Sequence, residues 1–273
     1  MSQHLRAVAV LALLGAVLLP GCSKKNPTQP SSLESLRAAE PAHSSGETPT
    51  VVMSSGAIEA DVAAFRTALG DPNNASAVGQ QPGGRREVNW DGVPPEFTNT
   101  NDFPPDFFNT TVTRGLFYNR GAGKLRVSDN GYTDINPGYA GVFNTFSAAK
   151  LFSPVGRNDV DVRFRIAGSD EVGAVNGVGV VFADVDRLGS TTIELEGEHG
   201  LKLGKFTAPV RTDERGLSFL GVKFSGPMIT RMRIFSGNGE LGSHELDITQ
   251  GGRHDLVVMD NFIYGEPSAV DHD

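Results

Sequence analysis

The sequence predicts a mostly β protein, an antiparallel two-sheet β-sandwich of jelly-roll type with one short N-terminal helix. Residues 159–166 alternate strictly between apolar and polar side chains, which is typical of a strand with one solvent-facing side. Residues 178–185 are almost continuously apolar and are predicted to form a central strand. The 33 glycines and 16 prolines suit many short strands joined by turns.

Four further strands complete the predicted sandwich, at residues 191–195, 217–224, 228–235 and 255–264. Strands do not alternate with helices along the chain, which excludes a parallel sheet, and no repeat of fixed period is present. In the segment LSFLGVKF both strand faces are apolar, and a bulge near Leu220 and Gly221 would reconcile the two apolar patterns.

One helix is predicted over residues 57–69. Apolar residues recur there at helical spacing, namely Ile58, Val62, Phe65 and Leu69. Ser54 or Ser55 is the expected N-cap, and Gly70 followed by Pro72 ends the helix. The apolar stripe favours packing on the domain over binding to a partner.

The N-terminus has the pattern of an export signal. Arg6 precedes an uninterrupted apolar run over residues 7–19, and Cys22, the only cysteine, follows Pro20 and Gly21. This predicts a signal peptide over residues 1–21. The ending resembles the bacterial lipobox, which implies that Cys22 is lipidated and anchors the protein to a membrane. Ser23 in place of an aspartate implies, by the same resemblance, the outer membrane of a Gram-negative envelope.

The remaining chain divides into three predicted parts. Residues 22–52 are rich in Ser, Pro, Thr and Glu and are expected to be a disordered tether. Residues 53–267 form the β-sandwich domain, and residues 268–273 form a tail. The net charge of −8, with no basic block, excludes nucleic acid as an expected partner.

Several short sequence segments, which keep the same order along the chain, resemble those of a group of exported bacterial lipoproteins and secreted proteins with a C-terminal DNFIYGEP-type strand. They are FRTALGDPNN (65–74), GRREVNWDGVP (84–94), LFSPVG (151–156), VVFADVD (180–186), LSFLGVKF (217–224) and DLVVMDNFIYGEP (255–267). This group is similar to PEP-CTERM-associated and carbohydrate-binding-like β-sandwich domains, although no PEP-CTERM anchor follows Pro267. The resemblance implies a fold and a location outside the cytoplasm, and it implies no activity.

Three aspartates are candidate ligands of a structural Ca²⁺. Asp184 and Asp186 end a strand with their carboxylates on one side, and Asp260 interrupts an apolar strand. Oxygen ligands in an exported acidic domain suit a hard cation, and jelly rolls that the chain resembles often hold Ca²⁺ with an aspartate of the last strand. In the alternative interpretation, Asp260 accepts backbone N–H groups and the other two are solvated.

Two further sets of residues bear on function. Tyr118, Tyr132 and Tyr139 lie in or beside a long glycine-rich segment with Asn and Asp, which suits a glycan, or else their rings close the core. Trp90 is expected in the core. The expected function is non-enzymatic binding of a glycan or envelope component. The alternative is a jelly-roll glycoside hydrolase that uses the carboxylates Glu194, Glu196 and Glu198, which would need a bulge near Gly197 to converge.

Overall fold

The computed structural model describes residues 46–119, 123–213 and 216–270. The predicted signal peptide, Cys22 and most of the predicted tether lie outside the described residues. None of the helices in the described part of the chain has the length and apolar character that a bilayer crossing requires.

Short strands dominate the described residues, with two α-helices between them. The helices are α1 (Glu59–Leu69) and α2 (Phe107–Thr110). The strands are β1 (Thr50–Gly56), β2 (Arg85–Val88), β3 (Leu116–Tyr118), β4 (Lys124–Ser128), β5 (Leu151–Val155), β6 (Asp159–Phe164), β7 (Gly173–Ala174), β8 (Gly177–Ala183), β9 (Thr192–Glu196), β10 (Lys202–Thr207), β11 (Leu217–Lys223), β12 (Arg231–Phe235), β13 (Val258–Gly265) and β14 (Ser268–Ala269).

Two large sheets carry the fold. The first has seven strands in the order β1-β11-β8-β13-β5-β4, with β2 also paired to β13, and the second has five in the order β10-β9-β12-β6-β3. The pairs between these strands are antiparallel. The predicted antiparallel two-sheet architecture is therefore confirmed.

The main core contains apolar side chains from both large sheets. Trp90 anchors it, as predicted, with a ring that stacks on Phe152 at 4.1 Å between centroids. Because side chains alternate along a strand, the inward positions of each strand are apolar. Inward residues of the five-stranded sheet include Val160, Val162, Phe164, Ile193, Leu195, Met232 and Ile234.

The seven-stranded sheet is buried on its other face as well. A second apolar cluster there joins Phe65 and its neighbours on α1 to Val181, Phe219 and Ile263 of the sheet. The helix approaches closely where Gly179 and Gly221 are paired across strands, since a Cβ on either would lie 2.7–2.8 Å from the Phe65 ring. The predicted apolar stripe of the helix is confirmed. The five-stranded sheet differs, because its outward face carries partly exposed side chains.

Four details of the sequence interpretation differ from the structure. β1 begins at Thr50, inside the predicted tether, and β14 lies in the predicted tail. Ser54 and Ser55 belong to β1, so α1 begins after Ile58 without a side-chain cap. β11 has no bulge, because it is covered on both faces and keeps an unbroken register with β1 and β8.

Candidate functional site

The outward face of the five-stranded sheet is an ordered array of charged side chains. Alternation on β6 turns Asp161 and Arg163 outward, and the same alternation exposes polar residues of the neighbouring strands. The strand register sets Phe117, Arg163, Arg231, Glu196 and Lys202 in one row across five strands. This face therefore carries fixed donors and acceptors on a rigid support.

Arg231 is the centre of the array. Its Nε and Nη2 donate to the carboxylate of Asp161 at 2.6–3.0 Å, and its Nη1 donates to Glu196 at 2.6 Å. The hydrogen bond to Asp161 is the largest cause that raises the pKa of Arg231. Burial alone would raise the pKa of Glu196, but hydrogen bonds from Lys202 and Arg231 outweigh it and lower that pKa. Both side chains are thus held in their charged forms.

A groove of about 510 Å³ crosses this face. It spans four strands, from the edge strand β3 to the turn after β9. The Arg165 guanidinium lies 4.4 Å from the centre of the Phe117 ring, beside the groove. The groove is lined by Phe117, Arg163, Phe164, Arg165, Val172, Glu196, Gly197, Glu198, His199, Gly200, Thr230 and Arg231.

The groove combines hydrogen-bond donors, acceptors and an aromatic ring within one open depression. Guanidinium groups only donate and carboxylates only accept, so a ligand that fits here must itself do both. Hydroxyl groups do both, and the apolar ring of Phe117 can pack against C–H groups. The arrangement therefore suits a polyhydroxylated ligand.

The run of glutamates does not form a convergent set of free carboxylates. Glu194 pairs with Lys205 at 3.1 Å, and Glu196 pairs with Lys202 and Arg231. Glu198 lies in the turn beyond the strand, where its Oε1 is 3.4 Å from Nε2 of His199. The register shift lies on the partner strand, between Lys202 and Gly204, and not at Gly197.

Tyr118, Tyr132 and Tyr139, the candidate ligand-binding tyrosines, do not line the groove, and the alternative interpretation, in which their rings close the core, describes them. All three are 0–1% exposed, because their rings pack within the apolar clusters, and Tyr139 also donates to the carbonyl of Gly242 at 3.0 Å. Burial raises the pKa of each tyrosine. The partly exposed aromatic residues of this face, Phe117 and Phe235, were missed because a partly exposed phenylalanine has no signal in sequence.

A cluster of buried carboxylates lies beyond the end of β8. It brings the predicted residues Asp184 and Asp186 together with Asp247, and one carboxylate oxygen of each lies within 4.8 Å of the other two. Asp247 precedes a 3₁₀ turn, Ile248–Gln250, and its side chain accepts from the N–H of Thr249 at 2.7 Å. The pattern Asp-x-x-Gln could have predicted this cap, but not its proximity to β8.

Burial and mutual repulsion dominate the electrostatics of this cluster. Burial is the largest cause that raises the pKa of Asp184 to about 8, and Asp247 raises it further against the effect of Arg211. Burial likewise raises the pKa of Asp186 to about 6, although Arg211 donates to it. Arg211 Nη1 lies 2.7 Å from Asp184 Oδ1.

Asp260 lies outside this cluster, so its grouping with Asp184 and Asp186 was wrong. It sits at a bulge of β13 and accepts hydrogen bonds from the N–H groups of Phe146 and Ser147, at 2.6 and 3.3 Å. The Ser147 hydroxyl donates to its other oxygen at 3.0 Å. Burial raises the pKa of Asp260 to about 7, against these hydrogen bonds. The alternative interpretation, a carboxylate that accepts backbone N–H groups, describes this residue.

Comparison with known proteins gives one structural likeness. No protein-family model and no curated protein matches the chain. Among solved structures, the chain is similar to a mutant of the family 29 carbohydrate-binding module CBM29-2, with 11% sequence identity and a TM-score of 0.28. The likeness covers 69% of this chain and 98% of that module.

Proposed function

We propose that this protein is a lipid-anchored module of the bacterial cell envelope that binds a glycan, without catalysis, on the outward face of its five-stranded sheet. The observation that carries the proposal is the groove lined by Phe117, which joins a partly exposed ring to the hydrogen-bonding array around Arg231. Neighbouring sugar hydroxyls need donors and acceptors at fixed spacing, and the strand register supplies them.

The charge pairing of the array favours a glycan over a phosphorylated ligand. Arg231 already donates to two carboxylates, and Arg163 lies 3.6 Å from Asp161. A phosphate would have to displace these carboxylates and would meet the charge of Glu196. A neutral sugar needs no such displacement, because it adds hydrogen bonds to groups that are already paired.

The proposed location rests on the sequence around Cys22. An apolar run that ends in Pro20-Gly21-Cys22 supports export and lipidation. Intact-mass analysis of the full chain extracted from membranes should show acyl chains on Cys22. A Cys22→Ala variant that fractionates with membranes as well as the unmodified protein would contradict the anchor.

Two phenylalanine variants test the groove. Phe117 and Phe235 are both partly exposed on the same face, and each lies within 5 Å of an arginine guanidinium, but only Phe117 lines the groove. We expect Phe117→Ala to weaken binding to glycans selected on an array by about tenfold or more, or about 1.4 kcal/mol. Phe235→Ala is the matched control and should bind as the unmodified chain does. Equal losses in both variants, or no glycan binding by the full chain, would contradict the proposal.

The alternative of glycoside hydrolysis has one supporting observation, since Glu196 and Glu198 both line the groove. A general acid needs a carboxyl group whose pKa is raised, whereas that of Glu196 is lowered by its cationic neighbours. Binding without hydrolysis is therefore the better-supported function. Turnover of a bound polysaccharide that disappears in Glu196→Gln or Glu198→Gln would reverse this order.

A further inference from the structure

The spacing of the acidic cluster suits a single cation. One carboxylate oxygen each from Asp184, Asp186 and Asp247 lies within 4.8 Å of the other two. Two oxygens that bind one Ca²⁺ at about 2.3–2.6 Å can be no more than about 5 Å apart. The spacing of these oxygens is therefore close to what three side chains that share one ion require.

Asp184 supplies a second observation, independent of the grouping. Its side chain is 1% exposed, yet neither of its carboxylate oxygens accepts a hydrogen bond from the described residues. Oδ1 lies 2.7 Å from Arg211 Nη1, in an ion pair without hydrogen-bond geometry. The side chain also lines a cavity of about 360 Å³, together with Arg211, Thr249 and Gln250. A buried carboxylate oxygen without a hydrogen-bond partner is costly, so the oxygens of Asp184 point to a ligand at this cluster.

The charges around the cluster do not balance. Within the described residues, the recorded ion pairs to Asp184 and Asp186 come from Arg211 alone. A fourth carboxylate, that of Asp255, is also buried and acts on Asp184 as a like charge. One guanidinium therefore faces several carboxylates, and a divalent cation would compensate the excess negative charge.

We propose that Asp184, Asp186 and Asp247 bind a Ca²⁺ ion that fastens the end of β8 to the turn at Ile248–Gln250. The ligands are all oxygen, as a hard cation prefers. Ca²⁺ fits better than Mg²⁺, because it accepts six to eight ligands in irregular geometry, whereas Mg²⁺ demands a near-ideal octahedron and retains its water. The ion links chain segments that are distant in sequence, so its role is to stabilise the fold.

Calcium titration of the chelated full chain tests the site. Protein treated with EDTA and exchanged into metal-free buffer should bind Ca²⁺ in calorimetry. Its thermal midpoint should rise by roughly 5–10 °C at a hundredfold excess over Kd. MgCl₂ and NaCl at matched ionic strength should give a much smaller rise. No heat of binding together with no calcium-specific rise would overturn the proposal.

Asparagine variants separate an ion site from a merely structural cluster. Asp184→Asn should abolish the calcium-dependent rise. Without calcium it should melt close to the midpoint of the unmodified chain, because the amide matches the size of the carboxyl group that it replaces. Asp260→Asn, a buried aspartate outside the cluster, is the matched control and should keep the full rise. If Asp184→Asn does not fold, Asp186→Asn replaces it as the cluster variant. A calcium-dependent rise that persists in the cluster variant would overturn the proposal.

Discussion

Arg86 and Glu266 form an ion pair that is almost entirely removed from solvent, with Nη2 to Oε1 at 2.6 Å and Nε to Oε2 at 2.7 Å. Their side chains are 0% and 3% exposed. Arg86 also donates to the carbonyls of Ala77 and Thr113, at 2.8 and 2.9 Å. The pair therefore fastens the segment after α1 to the end of β13.

We expect Glu266→Ala to lower the free energy of unfolding by about 3–5 kcal/mol, because it leaves the Arg86 charge buried without its partner. Urea unfolding at neutral pH measures the change. The control is Asp102→Ala, which removes the exposed pair with Lys124 at 3.8 Å and should cost less than about 1 kcal/mol. Equal losses in both variants would contradict the assigned role of the buried pair.

Gly221→Ala should destabilise the contact between α1 and the sheet. A Cβ at Gly221 would lie 2.7 Å from the Phe65 ring, which is fully buried and cannot move aside. We expect a loss of about 1–3 kcal/mol in the free energy of unfolding. Gly226→Ala is the control, since no atom lies within 4 Å of its Cβ position. A Gly221→Ala variant as stable as this control would show that the helix does not pack as described.

The stability of the fold should depend on the protonation of Asp260. The pKa of this group is about 7 in the folded chain and about 3.8 ordinarily, so the folded state binds the proton more tightly. The resulting stabilisation is fully present below pH 3.8 and is lost as the pH rises through about 7. It amounts to about 4 kcal/mol as an order of magnitude.

Comparison with Asp260→Asn isolates this effect, because the other carboxyl groups titrate in both proteins and cancel. The difference in the free energy of unfolding, unmodified chain minus variant, should fall between pH 4 and pH 7 and then level off. Urea titrations at each pH measure it. A difference that stays constant, or that grows as the pH rises, would contradict the raised pKa.

Two N-terminal deletions test at which residue the folded domain begins. Removal of residues 23–45 should leave the thermal midpoint nearly unchanged, since their composition supports no core. Removal of residues 23–56 should lower it by several degrees, because β1 covers the edge of β11 over seven paired residues. Equal midpoints in the two deletions would show that β1 adds nothing to stability.

The sequence was sufficient to predict β6, β8, β9, β11, β12 and β13 and the apolar stripe of α1, because periodicity reports directly on burial, but it did not predict the other strands. It failed at β11, where Leu217 and Phe219 face one apolar cluster and Leu220 and Val222 face the other. Two apolar faces look like a register shift when the layer that covers the second face is not known. The covering layer comes from α1 and from the segment around Tyr139, which are distant in sequence.

The candidate sites were less predictable for the same reason. Asp184 and Asp186 were identifiable as a pair, but Asp247 lies in another turn, and only the packing of that turn against β8 joins them. The groove depends on the lateral register of β3, β6, β12 and β9, which no local pattern encodes. The sequence left two roles open for the tyrosines, contact with a glycan or closure of the core, because only the packing of their rings decides between them.

The stack of Trp90 on Phe152 has a spectroscopic consequence. Trp90 is the only tryptophan in the chain, it is 1% exposed, and its Nε1 donates to the carbonyl of Asp260 at 2.7 Å. Its fluorescence emission therefore reports whether the sandwich is folded and should shift to the red only when the core opens. Ligand binding on the outward face of the other sheet leaves this indole covered. Tryptophan emission is thus a clean signal for every unfolding experiment above, and sugar titrations need a separate probe.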